Sequence, residues 1–168
     1  SDKSLIPKEE MAGKIAAMAD ARRHDTLIIA RTDAIAVEGF DAAIDRAGSY
    51  IDAGADVLLI EAPRDSGELS RIADPCKGRV PLLANMVEGG ATPISSATML
   101  EDMGFDIVIF PGGIVRALAR SAQDYYASLK ATGSNKAFSD RMHDFDGLNA
   151  AIGTPEMLAL GKRFDGKS

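Results

Sequence analysis

A chain of 168 residues, 46% hydrophobic and 26% charged, is long enough to bury one real core and has the composition of an ordinary globular domain. Its net charge of −6, with acidic and basic residues interspersed, excludes a nucleic-acid surface, because phosphate binding needs clustered Lys and Arg. A single cysteine, Cys76, excludes an internal disulfide and multi-cysteine zinc sites, and no apolar run approaches the roughly 20 residues of a membrane span, so a reducing cytoplasm is expected.

The first residues, Ser1-Asp2-Lys3-Ser4, carry neither an initiator Met nor an apolar leader and are expected to be an internal cut or a processed end. Pro7 followed by Lys8, Glu9 and Glu10 suits the first turn of a helix, where Pro lacks no needed donor and carboxylates meet the positive end of the dipole. This helix is predicted to run to Arg23. Short apolar segments then recur at 27–30, 57–60, 82–84 and 107–110, each too short for a helix and bounded by Gly, Pro or Asp, as buried parallel strands are. Segments of helical periodicity follow them at 41–53, 66–74, 95–103 and 115–131. The strands start 30, 25 and 25 residues apart, which is the unit of a (β/α)8 barrel. Ala53-Gly54-Ala55-Asp56 and Met103-Gly104-Phe105-Asp106 repeat one device, a Gly that allows a left-handed helix end before the next strand.

After Gly133 the pattern changes to Phe138, Met142, Phe145 and Leu148, then Met157, Leu158 and Leu160: short amphipathic helices without strands. The expected organisation is α/β, half of a (β/α)8 barrel over residues 1–133 and a helical extension over 134–168 that packs on a neighbouring subunit. Four strands cannot close a barrel, so further βα units upstream, or another chain, must complete it. A doubly wound sheet is the alternative, weakened because no Gly-rich turn follows Ala30.

In parallel α/β folds the reacting groups gather at the C-terminal ends of the strands. There the chain carries Arg31, whose fork suits a carboxylate, Glu61, which can hold a metal-bound water or move a proton, and Asn85, whose amide both donates and accepts. The fourth strand runs through Gly112-Gly113 into a helix whose first turn exposes N–H groups and carries Arg116, an arrangement open to an anion. The residues alone leave bland readings open: an Arg31–Glu61 structural pair, a turn-capping Asn85, a surface Arg116. His24, His143 and Cys76 have no partners at ligand spacing and read as structural or solvated.

Taken in order, Ile28-Ile29-Ala30-Arg31-Thr32-Asp33-Ala34, then 53–56 through Ile60-Glu61-Ala62, then Leu83-Ala84-Asn85-Met86-Val87-Glu88-Gly89-Gly90 with Thr92-Pro93, then Met103-Gly104-Phe105, resemble the isocitrate lyase and phosphoenolpyruvate mutase superfamily. The resemblance runs from residue 5 to about residue 166 and corresponds to the last four strands of that family's barrel and its terminal helices. It implies a lyase of a small 2-hydroxy or 2-oxo di- or tricarboxylate acting through an enolate, with P–C bond mutase or hydrolase chemistry, or a non-catalytic fragment that only assembles, as alternatives. It implies Mg2+ or Mn2+ as cofactor, with Glu61 holding a metal-bound water, Arg31 and Glu61 as catalytic groups, and Arg31, Asn85, Met86 and Arg116 as substrate contacts. The family's metal aspartates and its Lys-x-Cys-Gly-His gating loop lie upstream of the matched region, and neither occurs in this chain. A homodimer or homotetramer with exchanged terminal helices is implied as well. Phe145 stands where related 2-methylisocitrate lyases carry a further substrate-binding Arg, which implies a preference for smaller dicarboxylates; the alternative is a core residue that only anchors the helical extension through apolar burial.

Overall fold

The computed structural model describes residues 3–90, 92–93 and 95–165, so positions 1–2, 91, 94 and 166–168 of the expected barrel half and extension lie outside the described residues. The chain divides into two compact units, Ser1–Ile114 and Val115–Ser168. The division falls near the start of the long helix after the fourth strand, whereas the sequence places the change at 133/134, where strand-bearing repeats give way to short helices.

In the first unit, α1 (Lys8–Ala21) begins after Pro7 with Glu9 and Glu10 in its first turn and buries Ile15 completely. It ends two residues before the predicted Arg23, where the chain turns extended at Arg22. Strand β1 (Ile29–Thr32) follows, then a single unpredicted turn α2 (Ala34–Val37), α3 (Phe40–Asp52), β2 (Val57–Ile60), α4 (Ser66–Cys76), β3 (Leu83–Asn85), α5 (Ala97–Met103), β4 (Ile107–Ile109) and the start of α6 (Gly113–Thr132). Two strands sit one or two residues later than the apolar runs suggest. The shift has a cause in β1, because Leu27 is exposed and pairing with β2 begins at Ile29, which draws Arg31 into the strand. Helix α4 runs through Pro75, in its last turn, one residue beyond it to Cys76. There the ring removes one backbone donor near an end that frays in any case.

β1 pairs parallel with β2 and β3 parallel with β4. A parallel bridge from Leu58 to Leu82, with Leu58 N donating to Pro81 O at 3.1 Å, joins the pairs in sequential order. Because side chains alternate along a strand, each face of this arrangement has its own composition. Ala30, Leu58, Ile60, Leu82, Ala84 and Met86 pack with Ile15, Tyr50, Leu69, Ile72 and Leu100 into the main core. The opposite face carries the small cluster Val57, Leu59 and Leu83, with Ile107 against it and Ile29 half exposed beside it.

The repeated Gly-x-Asp device does more than end a helix. Gly54 and Gly104 both have φ near +100°, and each is packed so that a Cβ would meet the preceding unit, Ala19 at 3.0 Å and Ala73 at 3.2 Å. The Asp two residues on then turns back: Asp56 accepts from Ile28 N at 2.8 Å and Asp106 from Leu82 N at 2.9 Å. Each carboxylate thus closes the start of the neighbouring strand, pairing a backbone donor that would be costly to leave unmade.

The second unit is helical. After α6 come a 3-10 helix (Lys136–Arg141), α7 (Phe145–Ala151), begun by the Asp144 side chain accepting from Gly147 N at 2.7 Å, and α8 (Thr154–Phe164). Phe138 is its buried anchor, with Tyr125 edge-on at 5.4 Å and the Arg141 guanidinium 4.2 Å over its ring. Phe145, Met157, Leu158 and Phe164 are exposed. Phe145, 88% exposed, is not a core residue of its own unit.

Candidate functional site

The ends of β1, β2 and β3 bring Arg31, Glu61 and Asn85 together. Arg31 alternates with buried Ala30 and Thr32, so it lies on the face away from the helices, in register with Leu59. Glu61 directly follows β2, its N–H donating to Thr32 O at 2.9 Å, and Asn85 is the last residue of β3. Asn85 Nδ2 donates to Glu61 Oε2 at 3.2 Å, and Arg31 Nη2 lies 3.3 Å from the same oxygen. Asn85 Oδ1 is buried and accepts no hydrogen bond from the described residues. An orphaned acceptor of this kind is rare in a folded protein and marks a place for a donor from outside.

Two residues that sequence reasoning left without a role complete the cluster. Asp33 grips the guanidinium edge, accepting from Arg31 Nε at 2.9 Å and from Nη2 at 3.2 Å, and Lys3 Nζ donates to its Oδ1 as well. The Arg31 guanidinium first, and Lys3 after it, hold the Asp33 carboxyl down to about 2 against burial, while Asp33 raises Arg31 further. The fork expected to meet a ligand carboxylate is therefore occupied on one edge by the protein's own carboxylate. Asp33 sits two residues from Arg31 and was legible as a neighbour; Lys3 is thirty residues from its partner and left no local signal.

Glu61 is held by a stiff loop. Ala62 has φ +63°, the one non-glycine in the left-handed region among the described residues, and it precedes Pro63. The loop then locks onto α4: the Asp65 side chain accepts from Glu68 N at 2.8 Å, and the buried Glu68 carboxylate accepts from Arg64 N at 2.8 Å and Arg64 Nε at 2.9 Å. The Arg64 contact holds Glu68 below the usual carboxylate range despite its burial. Backbone strain next to a polar cluster is a recurrent mark of functional sites.

Two further predicted contacts remain, Met86 and Arg116. Met86 is 1% exposed in the main core, its N–H donates to Ile109 O at 2.9 Å, and with Thr92, Glu61 and Asn85 it lines a small cavity. At the expected anion position the Glu88 side chain lies against Gly113, where a Cβ would come within 2.8 Å of its Oε1. Arg116 belongs to the second unit. Cys76 is buried, and desolvation pushes its thiol up, which disfavours the reactive thiolate. Among the described residues no three His, Cys, Asp or Glu side chains group to hold a metal, and no helix is long and apolar enough to cross a membrane.

The model of the phosphoenolpyruvate phosphomutase family matches residues 1–130. The chain belongs to that family. Among its curated relatives, 2-methylisocitrate lyase of Salmonella typhimurium is 40% identical over 152 residues, covering 90% of this chain and 51% of the relative. The 2,3-dimethylmalate lyase of Eubacterium barkeri is 38% identical over 152 residues, covering 90% of this chain and 52% of the relative. This family member thus spans about half the length of the curated relatives it matches. Among solved structures, 2,3-dimethylmalate lyase superposes with a TM-score of 0.84 at 30% identity over 100% of this chain and 57% of that one. Phosphonopyruvate hydrolase, solved with oxalate and Mg2+, gives 0.77 at 28% identity over 95% of this chain and 57% of that one. The parallel βα arrangement is therefore the α/β fold of the phosphoenolpyruvate mutase and isocitrate lyase superfamily.

Proposed function

We propose that the complete protein is a Mg2+-dependent or Mn2+-dependent carbon–carbon lyase of a small 2-hydroxy or 2-oxo dicarboxylate, and that this chain supplies the last four βα units of its eight-unit barrel. The observation that carries the reading is the convergence of Arg31, Glu61 and Asn85 at one strand edge, with Asn85 Oδ1 left buried and unsatisfied among the described residues. The apolar face opposite the helices, formed by the buried Val57, Leu59 and Leu83 with the half-exposed Ile29 at its edge, supports a barrel interior that further units complete, because such an interior is filled by apolar side chains in layers.

The charges of the mouth argue for a cation. Lys3 and Arg31 are balanced by Asp33 and Glu61, so a dicarboxylate ligand brings its own negative charge to a neutral site. Glu61, with one carboxylate oxygen unengaged among the described residues, and Asn85 Oδ1 fit the hydration shell of a divalent ion; neither supplies a full set of direct ligands. A divalent ion bound there supplies Lewis-acid stabilisation of the oxyanion that develops as the bond next to the carboxylate breaks. Arg31 contributes positive charge to the same oxyanion through Nη1, the nitrogen left unengaged among the described residues, and Asn85 orients the ligand while holding Glu61. Arg116 is proposed to contact a second ligand carboxylate in the assembled enzyme, and Met86 to shape the site from behind.

The protein is further proposed to be a cytoplasmic homo-oligomer, with its exposed apolar helices α7 and α8 covered by another copy. With Phe145 in place of a cation, a third carboxylate loses a charge-assisted hydrogen bond of about 1.5 to 3 kcal/mol, and dicarboxylates such as 2,3-dimethylmalate are favoured over 2-methylisocitrate by roughly ten- to a hundredfold. P–C bond chemistry is the second reading, supported by the likeness to phosphonopyruvate hydrolase. The test is kcat/KM of the complete protein with Mg2+ on 2,3-dimethylmalate, 2-methylisocitrate and phosphonopyruvate, wild type beside Arg31→Lys. Dimethylmalate is expected to lead and Arg31→Lys to lose most of the activity. A lead for phosphonopyruvate overturns the lyase reading, and a lead for 2-methylisocitrate overturns the role of Phe145.

A further inference from the structure

Arg31 makes an unusual use of its donors. Its Nε and Nη2 both point at Asp33, Nη2 also lies 3.3 Å from Glu61, and Nη1 has no hydrogen bond among the described residues. Asp33 is fixed by backbone rather than by its own flexibility. It stands at the junction of β1 and α2, where Ala34 N donates to Thr32 Oγ1 at 3.2 Å and Ala34 and Ile35 are buried. It occupies the N-cap position of α2 without making the side-chain cap expected of an Asp there, its carboxylate being turned to Arg31 and Lys3 instead. Thr32, the last residue of β1, points into the core, and Asp33, just past the strand, keeps its carboxylate on Arg31 at the mouth.

We propose that Asp33 is the positioning residue of Arg31, committing the Nε–Nη2 edge of the guanidinium so that an anionic ligand is taken by Nη1, with Lys3 as the counter-charge. The inference rests on the carboxylate-binding reading above and adds how the key cation is aimed. Without Asp33, Glu61 is the nearest carboxylate to Arg31 and would draw the guanidinium onto itself, removing both groups from the ligand. A half-exposed Arg has the freedom to make that swing, and a planar fork held on one edge does not.

The test is a double-mutant cycle in the complete protein, Asp33→Asn and Arg31→Lys singly and together, read by kcat/KM, by melting temperature and by the 15N–1H resonance of the Arg31 side-chain Nε. Asp33→Asn is expected to lower kcat/KM by about ten- to a hundredfold, to leave the melting temperature nearly in place, and to remove the exchange protection of the Nε proton. In the Arg31→Lys background the same substitution is expected to cost less than about twofold, because a residue that acts through Arg31 has nothing left to aim. Equal losses in both backgrounds, or an Nε resonance unchanged by Asp33→Asn, would overturn the proposal. A wild-type protein inert toward every carboxylate would sink the functional reading instead, and the Nε resonance would still decide whether Asp33 holds Arg31.

Discussion

Replacing Asn85 by Ala separates function from stability in this fold. Two terms act on stability. The substitution removes the hydrogen bond from Nδ2 to Glu61 Oε2, a bond to a charged acceptor that contributes about 1.5 to 3 kcal/mol. It also removes Oδ1, a buried acceptor unsatisfied among the described residues, whose desolvation costs about 1 to 3 kcal/mol in the free protein. The terms nearly cancel, so net stability should change by no more than about 1 kcal/mol, a melting shift of about 2 to 4 °C at most for a protein of this size. On the proposed role of Asn85 activity has no such compensation, because the ligand would lose an oriented partner while Glu61 loses the donor that steadies it. A fall of about tenfold or more in kcat/KM is expected, measured with the complete protein on a dicarboxylate next to a thermal melt. A melt lowered by 15 °C would show that Asn85 is a structural cap, and unchanged turnover with an unchanged melt would remove it from the site.

Ala62→Gly relieves the left-handed strain at φ +63°, worth roughly 1 to 2 kcal/mol, against about 0.4 to 1 kcal/mol of added chain entropy. A small gain in melting temperature together with a lower kcat is the expected pair, and a clear loss of stability would refute the strain reading. Asp106→Ala leaves the Leu82 N–H without its acceptor and should cost about 1 to 3 kcal/mol in a denaturant titration, with no change in KM beyond the loss of folded protein. Asp33, held down to about 2 from an ordinary value of 3.8, contributes stability that is complete above the higher figure and is lost as the pH falls through the lower one. Acid melts of wild type and Asp33→Asn should therefore converge toward pH 2 and differ above pH 4 by less than about 1 kcal/mol, since the pair is partly solvated; a gap that widens toward acid contradicts the sign.

Much of this arrangement was legible from residue order. The strand–helix rhythm, the glycines at 54 and 104, and the polar residues closing three strands all follow from local rules of burial, period and left-handed backbone. What the sequence hid depends on contacts made at a distance. The Lys3–Asp33 and Asp56–Ile28 pairings join residues about thirty apart, and nothing in the neighbourhood of either partner announces the other. Met86 is a substrate contact only by the family resemblance, and its burial in the main core depends on packing that its neighbours in sequence do not announce. The left-handed Ala62 was invisible for a different reason: the residue type gives no hint of a conformation that L side chains rarely adopt.

The most direct measurement is calorimetric titration of oxalate, the ligand seen with Mg2+ in phosphonopyruvate hydrolase, into the complete protein with Mg2+ and again after chelation. Saturable binding that is lost on chelation and weakened about tenfold or more by Arg31→Lys is the predicted result. Binding that survives both treatments, or no binding to a folded complete protein that holds Mg2+, would contradict a metal-assisted carboxylate site at the ends of these strands.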